Sequence, residues 1–342
     1  MVSLFLTSLT HSPPRRGHRA GAPPIWGGLL LLLWTVCPLA AVAVQPLKAL
    51  RLDYAYYSPP SLVLKHFGWV EQAFKAEGVA VTWVQSAGSN RALEYLNSRS
   101  VDFASTAGLA AVLSRANGNP VKAVYVYSRP EWVALVVGRS SPIQSVSDLR
   151  GRKVAATLGT DAYLFLLRAL QEAGLRKSDI ELVNLQHADG RAALEQGRVD
   201  AWAGLDPMMA ASQLEAGSRI IYRNIAFNTY GVVDVSDSFA AEHGDYVRRV
   251  LAAYEKARKW ILTHPDETAA IVTAEARISL PVAKLQLSRN DFSNPIPDPA
   301  YVKSLKAAAP ILTEDGLVRP GTDVGKVIDA LIDARYTQAL PE

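Results

Sequence analysis

The pattern of apolar and polar residues is most informative over residues 152–173, RKVAATLGTDAYLFLLRALQEA. Its first six residues predict a short buried strand, because small and β-branched side chains follow two charged ones. After the tight loop 158–160, apolar residues recur at helical spacing from Leu164 to Leu170. A strand that turns through Gly-Thr into a helix presents unpaired backbone N–H groups at the positive end of the helix dipole, which suits an anion. An ordinary βα turn has the same pattern.

Strand and helix patterns alternate along most of the chain. They alternate up to about residue 138 and begin again after the polar loop 139–151, and residues 61–77 predict one amphipathic helix. This alternation predicts an α/β fold with doubly wound, mostly parallel sheets. After a return strand at 231–235, the chain from Asp245 onward is almost entirely helical in pattern. We predict two lobes with a ligand cleft between them: residues 44–137 with 236–342, and residues 138–235.

One order of elements repeats about a hundred residues apart. Residues 91–94, RALE, precede the strand start Val101-Asp102, and residues 191–195, RAALE, precede Val199-Asp200. Each copy predicts a short helix, a tight turn, a strand and a turn into another helix. The repeat therefore favours two α/β lobes of related plan.

Residues 1–43 have the pattern of a secretory signal peptide. Arg15, Arg16 and Arg19 form a basic segment without acids, residues 25–36 are apolar, and residues 41–43 have the small-x-small cleavage pattern. We predict cleavage, because a proline and small residues follow the apolar segment. An uncleaved membrane anchor is the alternative, since the apolar segment is nearly long enough to span a bilayer.

Composition limits the chemistry of the mature chain. Cys37 is the only cysteine and falls within the predicted signal, which would leave no disulfide, cysteine nucleophile or thiolate metal site. Loss of the three signal arginines lowers the basic residues from 36 to 33, against 32 acidic residues. Nucleic-acid binding therefore has no electrostatic support.

Four segments together resemble a known family. They are SAGSNRALEYLNSRSVDFASTAG (86–108), VYVYSRPEW (124–132), GTDAYLFLLRALQEAGL (159–175) and DGRAALEQGRVDAWAGLDP (189–207). The chain is similar to the aliphatic-sulfonate-binding proteins of ABC transporters, within the nitrate/taurine/sulfonate group, from about Leu50 to Tyr336. The resemblance implies a two-lobed periplasmic-binding-protein fold of type II. It also implies a periplasmic, monomeric receptor without a cofactor, which captures a small organosulfur anion and delivers it to a membrane permease.

A sulfonate is ionised at biological pH and offers three acceptor oxygens, so its site needs many donors and no strong base. Helix N-termini supply such donors, and small residues let the backbone approach the ligand. The expected ligand contacts in the first lobe are Ser86, Gly88, Ser89, Thr106, Ala107 and Gly108. Those in the second lobe are Gly159, Thr160, Asp161 and Ala162. We expect Thr160→Asp to abolish binding through like-charge repulsion and to leave the thermal transition nearly unchanged.

Aromatic and acidic residues are candidates for the part of the cleft around the organic tail. The aromatic candidates are Tyr57, Trp132, Trp202 and Tyr230, although an aromatic residue in a sheet protein is commonly part of the core. Asp206 and Glu131 are expected at the tail end or paired with Arg129, because a carboxylate repels a sulfonate. Without acids dedicated to a charged tail, taurine is less expected than a sulfonate with an uncharged tail or a sulfate ester.

Alternative functions stay open. A taurine or nitrate receptor fits the same family, and a ligand-sensing protein could use the same fold. Enzymes that resemble thiamine-pyrimidine synthases share the architecture but carry a cysteine motif that this chain lacks. No recognised catalytic motif occurs, and His187 is expected in a surface loop, so we predict no catalytic residue and no metal site.

Overall fold

The structure, a computed structural model, describes residues 47–338 and residue 340. The described residues belong to one compact unit. The predicted signal segment with Cys37 lies outside them. The strands are β1 Ala49–Tyr54, β2 Ala80–Gln85, β3 Ala104–Ala107, β4 Val121–Pro130, β5 Val133–Val137, β6 Lys153–Ala156, β7 Glu181–Asn184, β8 Ala201–Leu205, β9 Arg219–Tyr222, β10 Gly231–Ser236 and β11 Asn290–Asp291.

The helices alternate with the strands up to β10 and then dominate, which confirms the predicted helical C-terminal part. They are α1 Pro59–Phe67, α2 Trp69–Phe74, α3 Ser89–Asn97, α4 Gly108–Ala116, α5 Asp161–Glu172, α6 His187–Glu195, α7 Met208–Glu215, α8 Asp237–Glu242, α9 Gly244–Thr263, α10 Pro265–Ala276, α11 Leu280–Ser288, α12 Pro299–Ala308, α13 Pro310–Glu314, α14 Val324–Leu331 and α15 Arg335–Gln338. Within the described residues, no helix is long and apolar enough to cross a membrane.

The strands form two groups, one in each lobe, and both mix parallel with antiparallel pairs. In the first group β1 pairs with β2 in parallel, a parallel bridge joins Leu52 to Phe103 just before β3, and β3, β10, β4 and β11 pair antiparallel in that order. In the second, with order β7-β6-β8-β5-β9, the strands β7, β6 and β8 are parallel, whereas β5 lies antiparallel to both β8 and β9. The predicted two-lobed α/β fold is confirmed, but fewer strand pairs are parallel than the alternation suggested, because the strands that follow each crossing run back against their neighbours.

The chain crosses between the two sheets at two places. β4 belongs to the first sheet and β5 to the second, so the first crossing lies between Pro130 and Val133. The second lies between Tyr222 and Gly231, since β10 belongs to the first sheet. Sheet membership thus changes before β5 and before β10, whereas the sequence placed the lobe boundaries after 137 and after 235.

The helix predicted over residues 61–77 is broken at Gly68. Gly68 has φ +62°, and its N–H donates to the carbonyl oxygens of Leu64 and Lys65, which ends α1. A residue with positive φ closes a helix readily when it is glycine, because no Cβ is strained. The regular apolar spacing on both sides of Gly68 concealed the break.

The second sheet is buried on both faces. Along β5, Val133, Leu135 and Val137 pack in the main core, whereas Ala134 and Val136 pack in a separate cluster under α6 and α7. This division follows from the two-residue period of a strand. It explains why β5 is a continuous apolar run.

Candidate functional site

The start of α5 lies where the sequence predicted it, directly after β6. Gly159 has φ +74°, in the left-handed region that favours glycine, and turns the chain from strand to helix. Thr160 is the N-cap residue, but its hydroxyl donates to the carbonyl oxygen of Thr157 at 2.7 Å and makes no cap hydrogen bond. The first-turn N–H groups, that of Ala162 included, are therefore left without a side-chain cap at the positive end of the helix dipole.

The start of α4 has a similar sequence pattern, but its donors are used inside the protein. The N–H of Gly108 donates to the carbonyl oxygen of Tyr230 at 2.9 Å, and the N–H of Leu109 donates to the Thr229 hydroxyl at 3.1 Å. Both acceptors lie on the second connection between the sheets. The predicted anion contact at Gly108 is thus replaced by a structural hydrogen bond in this conformation.

The small-residue loop before α3 is tied to the same helix start. The Ser89 hydroxyl accepts from the N–H of Ala107 at 3.0 Å, and the Thr106 hydroxyl donates to Asp234 at 2.5 Å. Ser86 is fully buried. The structure therefore brings these predicted site residues together, but with the Ser89 and Thr106 side chains already engaged.

Residues of the two sheets meet around Gly88. A Cβ added at Gly88 would lie 3.2 Å from His187 Nε2, at the start of α6, and one added at Gly159 would lie 3.5 Å from the Cβ of Asn90. The loop before α3 therefore faces the starts of α5 and α6. We call this region the lobe junction: Gly88, Asn90, Gly159 and His187 with the helix starts that carry them.

Asp161 is an internal acceptor that joins the two helix starts. Its Oδ2 accepts from Trp132 Nε1 and from the N–H of Thr229, both at 3.0 Å, and its Oδ1 accepts from the Thr229 hydroxyl at 2.8 Å. Burial raises the pKa of Asp161, and these hydrogen bonds oppose that rise. Because the same Thr229 hydroxyl accepts from the N–H of Leu109, one residue connects the starts of α4 and α5.

Three of the predicted aromatic residues occupy different surroundings. Tyr57 and Trp132 pack edge to face in the main core, with ring centroids 6.1 Å apart, and Trp132 Nε1 donates to Asp161 at the start of α5. Trp202 is fully buried and belongs to the core cluster under α6 and α7. The structure thus buries all three rings, and of these Trp132 contacts the start of α5.

Tyr230 lies on the second crossing and is half-buried. Its ring stacks on a tyrosine of α12 at 5.0 Å, and the Arg129 guanidinium lies 4.9 Å from its centroid. Arg129 pairs with Asp298 at 3.0 Å, whereas Glu131 pairs with Arg223. The expected pairing of Glu131 with Arg129 is therefore wrong, because each side chain finds a nearer partner.

Asp206, the other acidic candidate, is paired and buried. Arg289 Nη1 donates to both of its carboxylate oxygens, at 3.0 and 3.1 Å, and the N–H of Ala210 donates to Oδ1 at 2.9 Å. Burial raises the pKa of Asp206, and the charge of Arg289 opposes the rise. Arg289 directly follows α11 and Asp206 directly follows β8, so this ion pair joins the C-terminal helices to the second sheet.

His187 is a junction residue that the sequence analysis missed. It is the first residue of α6 and is fully buried, so its expected place in a surface loop is wrong. Its Nδ1 lies 3.3 Å from the Thr157 hydroxyl, and burial lowers its pKa to about 3. The available signal was its position after a strand, since helix starts at the carboxyl ends of strands are where α/β folds bind ligands.

The junction therefore offers neutral hydrogen-bonding groups and an uncapped helix start. The two acidic candidates Asp161 and Asp206 already accept hydrogen bonds on both oxygens. Among the described residues, no group of three or more His, Cys, Asp or Glu side chains could hold a metal ion. Such an arrangement suits a small anion whose charge is met by N–H donors.

Comparison with known proteins is consistent with this chemistry. Residues 65–268 match the family described as NMT1/THI5 like. The putative aliphatic sulfonates-binding protein of Escherichia coli K12 is 30% identical over 295 residues, which cover 85% of this chain and 92% of that protein. The alkanesulfonate-binding protein SsuA of Xanthomonas axonopodis pv. citri, solved with bound MOPS, is 25% identical with a TM-score of 0.76, over 83% of this chain and 99% of that one. The desulfurization enzyme DSZB is 17% identical with a TM-score of 0.62 over 85% of this chain and 98% of that one, a likeness that shows the fold alone.

Proposed function

The chain belongs to the NMT1/THI5-like family, and from this membership we propose that it is the solute-binding receptor of an ABC importer. The receptor captures a small organosulfonate or sulfate ester between its two lobes. The aliphatic sulfonates-binding relative, aligned over 92% of its own length, supports this assignment.

The observation that carries the proposal is the uncapped start of α5 at the lobe junction. Thr160 directs its hydroxyl to Thr157, and the Asp161 carboxylate faces Trp132 and Thr229. The backbone N–H groups of Thr160, Asp161 and Ala162 are the donors for the anionic head. Tyr57 and Trp132 form the wall beside the organic tail.

The same contacts rank the candidate ligands. An ammonium group would need a free carboxylate, but Asp161 and Asp206 are saturated, so taurine is a poor ligand. Nitrate would leave the aromatic wall without a partner. The protein acts by binding and not by catalysis, in keeping with relatives that are binding proteins.

The receptor works outside the cytoplasm. Residues 1–43 direct export, and the mature protein delivers its ligand as a monomer to the permease of its importer. A ligand-sensing role would use the same site, and transport of the bound sulfonate by cells that carry the cognate permease separates the two roles.

A thermal-shift panel on the protein from Val44 onward tests the proposal. The panel contains alkanesulfonates of rising chain length, aryl sulfate esters, taurine, sulfate and nitrate. A ligand at a hundredfold excess over its dissociation constant adds about 2.7 kcal/mol to the free energy of unfolding. A shift for one class of tail supports the receptor, whereas no shift for any sulfonate or sulfate ester would refute it.

A further inference from the structure

Two buried polar atoms without a hydrogen-bond partner face one another across the lobe junction. They are Asn90 Oδ1 on α3 and His187 Nε2 on α6. A Cβ added at Gly88 would lie 2.8 Å from the first and 3.2 Å from the second. A buried polar atom without a hydrogen bond destabilises the folded protein, so the proximity of these two atoms indicates a missing hydrogen-bonding group.

The hydrogen bonds around His187 determine which of its ring nitrogens carries the proton. The Thr157 hydroxyl has one hydrogen, which it donates to the carbonyl oxygen of Leu185 at 2.7 Å. At its 3.3 Å contact with His187 Nδ1 the hydroxyl can therefore only accept. Nδ1 carries the proton, and Nε2 is a bare acceptor that faces Gly88.

A bare imidazole nitrogen repels a sulfonate oxygen and accepts from a donor. The geometry points to His187 as a specificity-determining residue that selects organosulfonates carrying a hydroxyl group near the sulfonate. The hydroxyl donates to His187 Nε2 and accepts from the amide of Asn90, which can present its nitrogen in place of its oxygen. This inference rests on the proposed receptor function and narrows its substrate class.

Two features of the junction fit a neutral hydroxyl. Gly88 carries no side chain, and a Cβ there would crowd both Asn90 Oδ1 and His187 Nε2, so glycine leaves these two atoms unblocked. A cavity of about 220 Å³ lies along α3 and α4, is lined by Asn90 and Gly159 among others, and provides adjoining room. An ammonium group would also donate to His187, but neither Asp161 nor Asp206 has a free carboxylate oxygen to pair with its charge.

Calorimetric titration with three matched ligands tests the inference: ethanesulfonate, 2-hydroxyethanesulfonate and taurine. We expect 2-hydroxyethanesulfonate to bind at least about tenfold more tightly than ethanesulfonate, with taurine no tighter than ethanesulfonate. Equal binding of the first two, or tightest binding of taurine, would overturn the hydroxyl assignment and leave the receptor function standing. Failure of all three, together with the panel above, would refute the receptor function itself.

Variants assign the preference to His187. His187→Phe keeps a planar ring without the acceptor, and should abolish the tenfold preference for 2-hydroxyethanesulfonate over ethanesulfonate. Asn90→Ala should reduce the preference, and a preference that survives His187→Phe would overturn the inference.

Nitrogen NMR of histidine-labelled protein tests the tautomer without any ligand or folding-sensitive variant. We expect the His187 signals to show a proton on Nδ1 and none on Nε2. A proton on Nε2 would contradict the inference. Thr157→Val, which removes the acceptor, should shift the tautomer towards Nε2–H and lower the hydroxyl preference.

Discussion

The starts of α4 and α5 are alike in sequence and different in structure. Each follows a buried strand through small residues, and both were expected to bind an anion. At α4 the N–H groups of Gly108 and Leu109 donate to Tyr230 and Thr229, whereas the α5 start has no side-chain cap. A strand that turns into a helix becomes available to a ligand only where no other segment packs against its donors.

Thr229 explains much of this difference, because it contacts both helix starts in different ways. At α4 its hydroxyl oxygen accepts a backbone N–H, that of Leu109. At α5 its hydroxyl and its N–H donate to the Asp161 side chain. The crossing segment thus uses the backbone of one helix start and only the side chain of the other.

The largest expected effect comes from a charge placed beside the α5 start. Gly159→Asp and Gly159→Asn have the same shape, and both residue types tolerate the left-handed conformation. A carboxylate about 5 Å from the bound anion costs about 3 kcal/mol at an effective dielectric constant of 20. Calorimetry should therefore show roughly a hundredfold weaker binding for Gly159→Asp than for Gly159→Asn.

This pair replaces Thr160→Asp as the test of the site. Thr160 is only 2% exposed and hydrogen-bonded to Thr157, so an aspartate there would lower stability as well as affinity. The unfolding transitions of the two Gly159 variants should coincide. Equal affinities would remove the α5 start from the binding site.

The next effect concerns the α4 start and should appear in stability. A Cβ on Gly108 would overlap the Tyr301 hydroxyl, so Gly108→Ala should lower the free energy of unfolding by about 2–3 kcal/mol. Gly138→Ala is the control, because nothing lies within 4 Å of its added Cβ. Urea unfolding measures both, and a neutral Gly108→Ala would show that the α4 start is less tightly packed than described.

Asp161→Asn tests the link between the two starts. The amide keeps one acceptor oxygen and turns an NH₂ group towards donors that previously met a carboxylate. The substitution should lower the free energy of unfolding by about 1–2 kcal/mol. Asp266→Asn, which affects an exposed ion pair with Lys284, should leave the urea midpoint almost unchanged, because solvent screens that pair. Similar effects of the two substitutions would contradict the role given to Asp161.

The smallest effect is a pH dependence at the neighbouring α6 start. Burial lowers the pKa of His187 to about 3, against about 6.5 in the unfolded chain. Below about pH 6.5 the unfolded chain protonates this histidine, whereas the folded protein keeps it neutral. The free energy of unfolding therefore decreases as the pH falls. Between pH 6.5 and 5.5, the free energy of unfolding of the unmodified protein should fall by about 1 kcal/mol relative to that of His187→Gln. A constant difference in urea unfolding would show that His187 titrates normally.

Local pattern predicted most elements but not where regular spacing is interrupted. The predicted helix over 61–77 is broken because Gly68 takes a positive φ, which apolar spacing does not show. The lobe boundaries at 137 and 235 missed the sheet to which β5 and β10 belong. A strand's length and burial are local properties, whereas its neighbours in a sheet are not.

The candidate site residues also fall into those that local sequence predicted and those that depend on tertiary contacts. The turn at Gly159 was predictable from a strand pattern, a glycine and a helix pattern in succession. Three other placements could not be predicted, because each depends on distant segments. Thr106 donates to Asp234, Trp202 packs in the core, and His187 lies at the lobe junction.

The sequence by itself determined the α/β alternation, the positions of the helix starts and the family, since these depend on residues close together along the chain. Only the tertiary structure decided which helix start keeps its donors. Thr229 lies 120 residues from Leu109 and 68 from Asp161. Hydrogen bonds over such separations depend on how the sheets and their crossing segments pack, and those contacts distinguish a structural helix start from one that can receive a ligand.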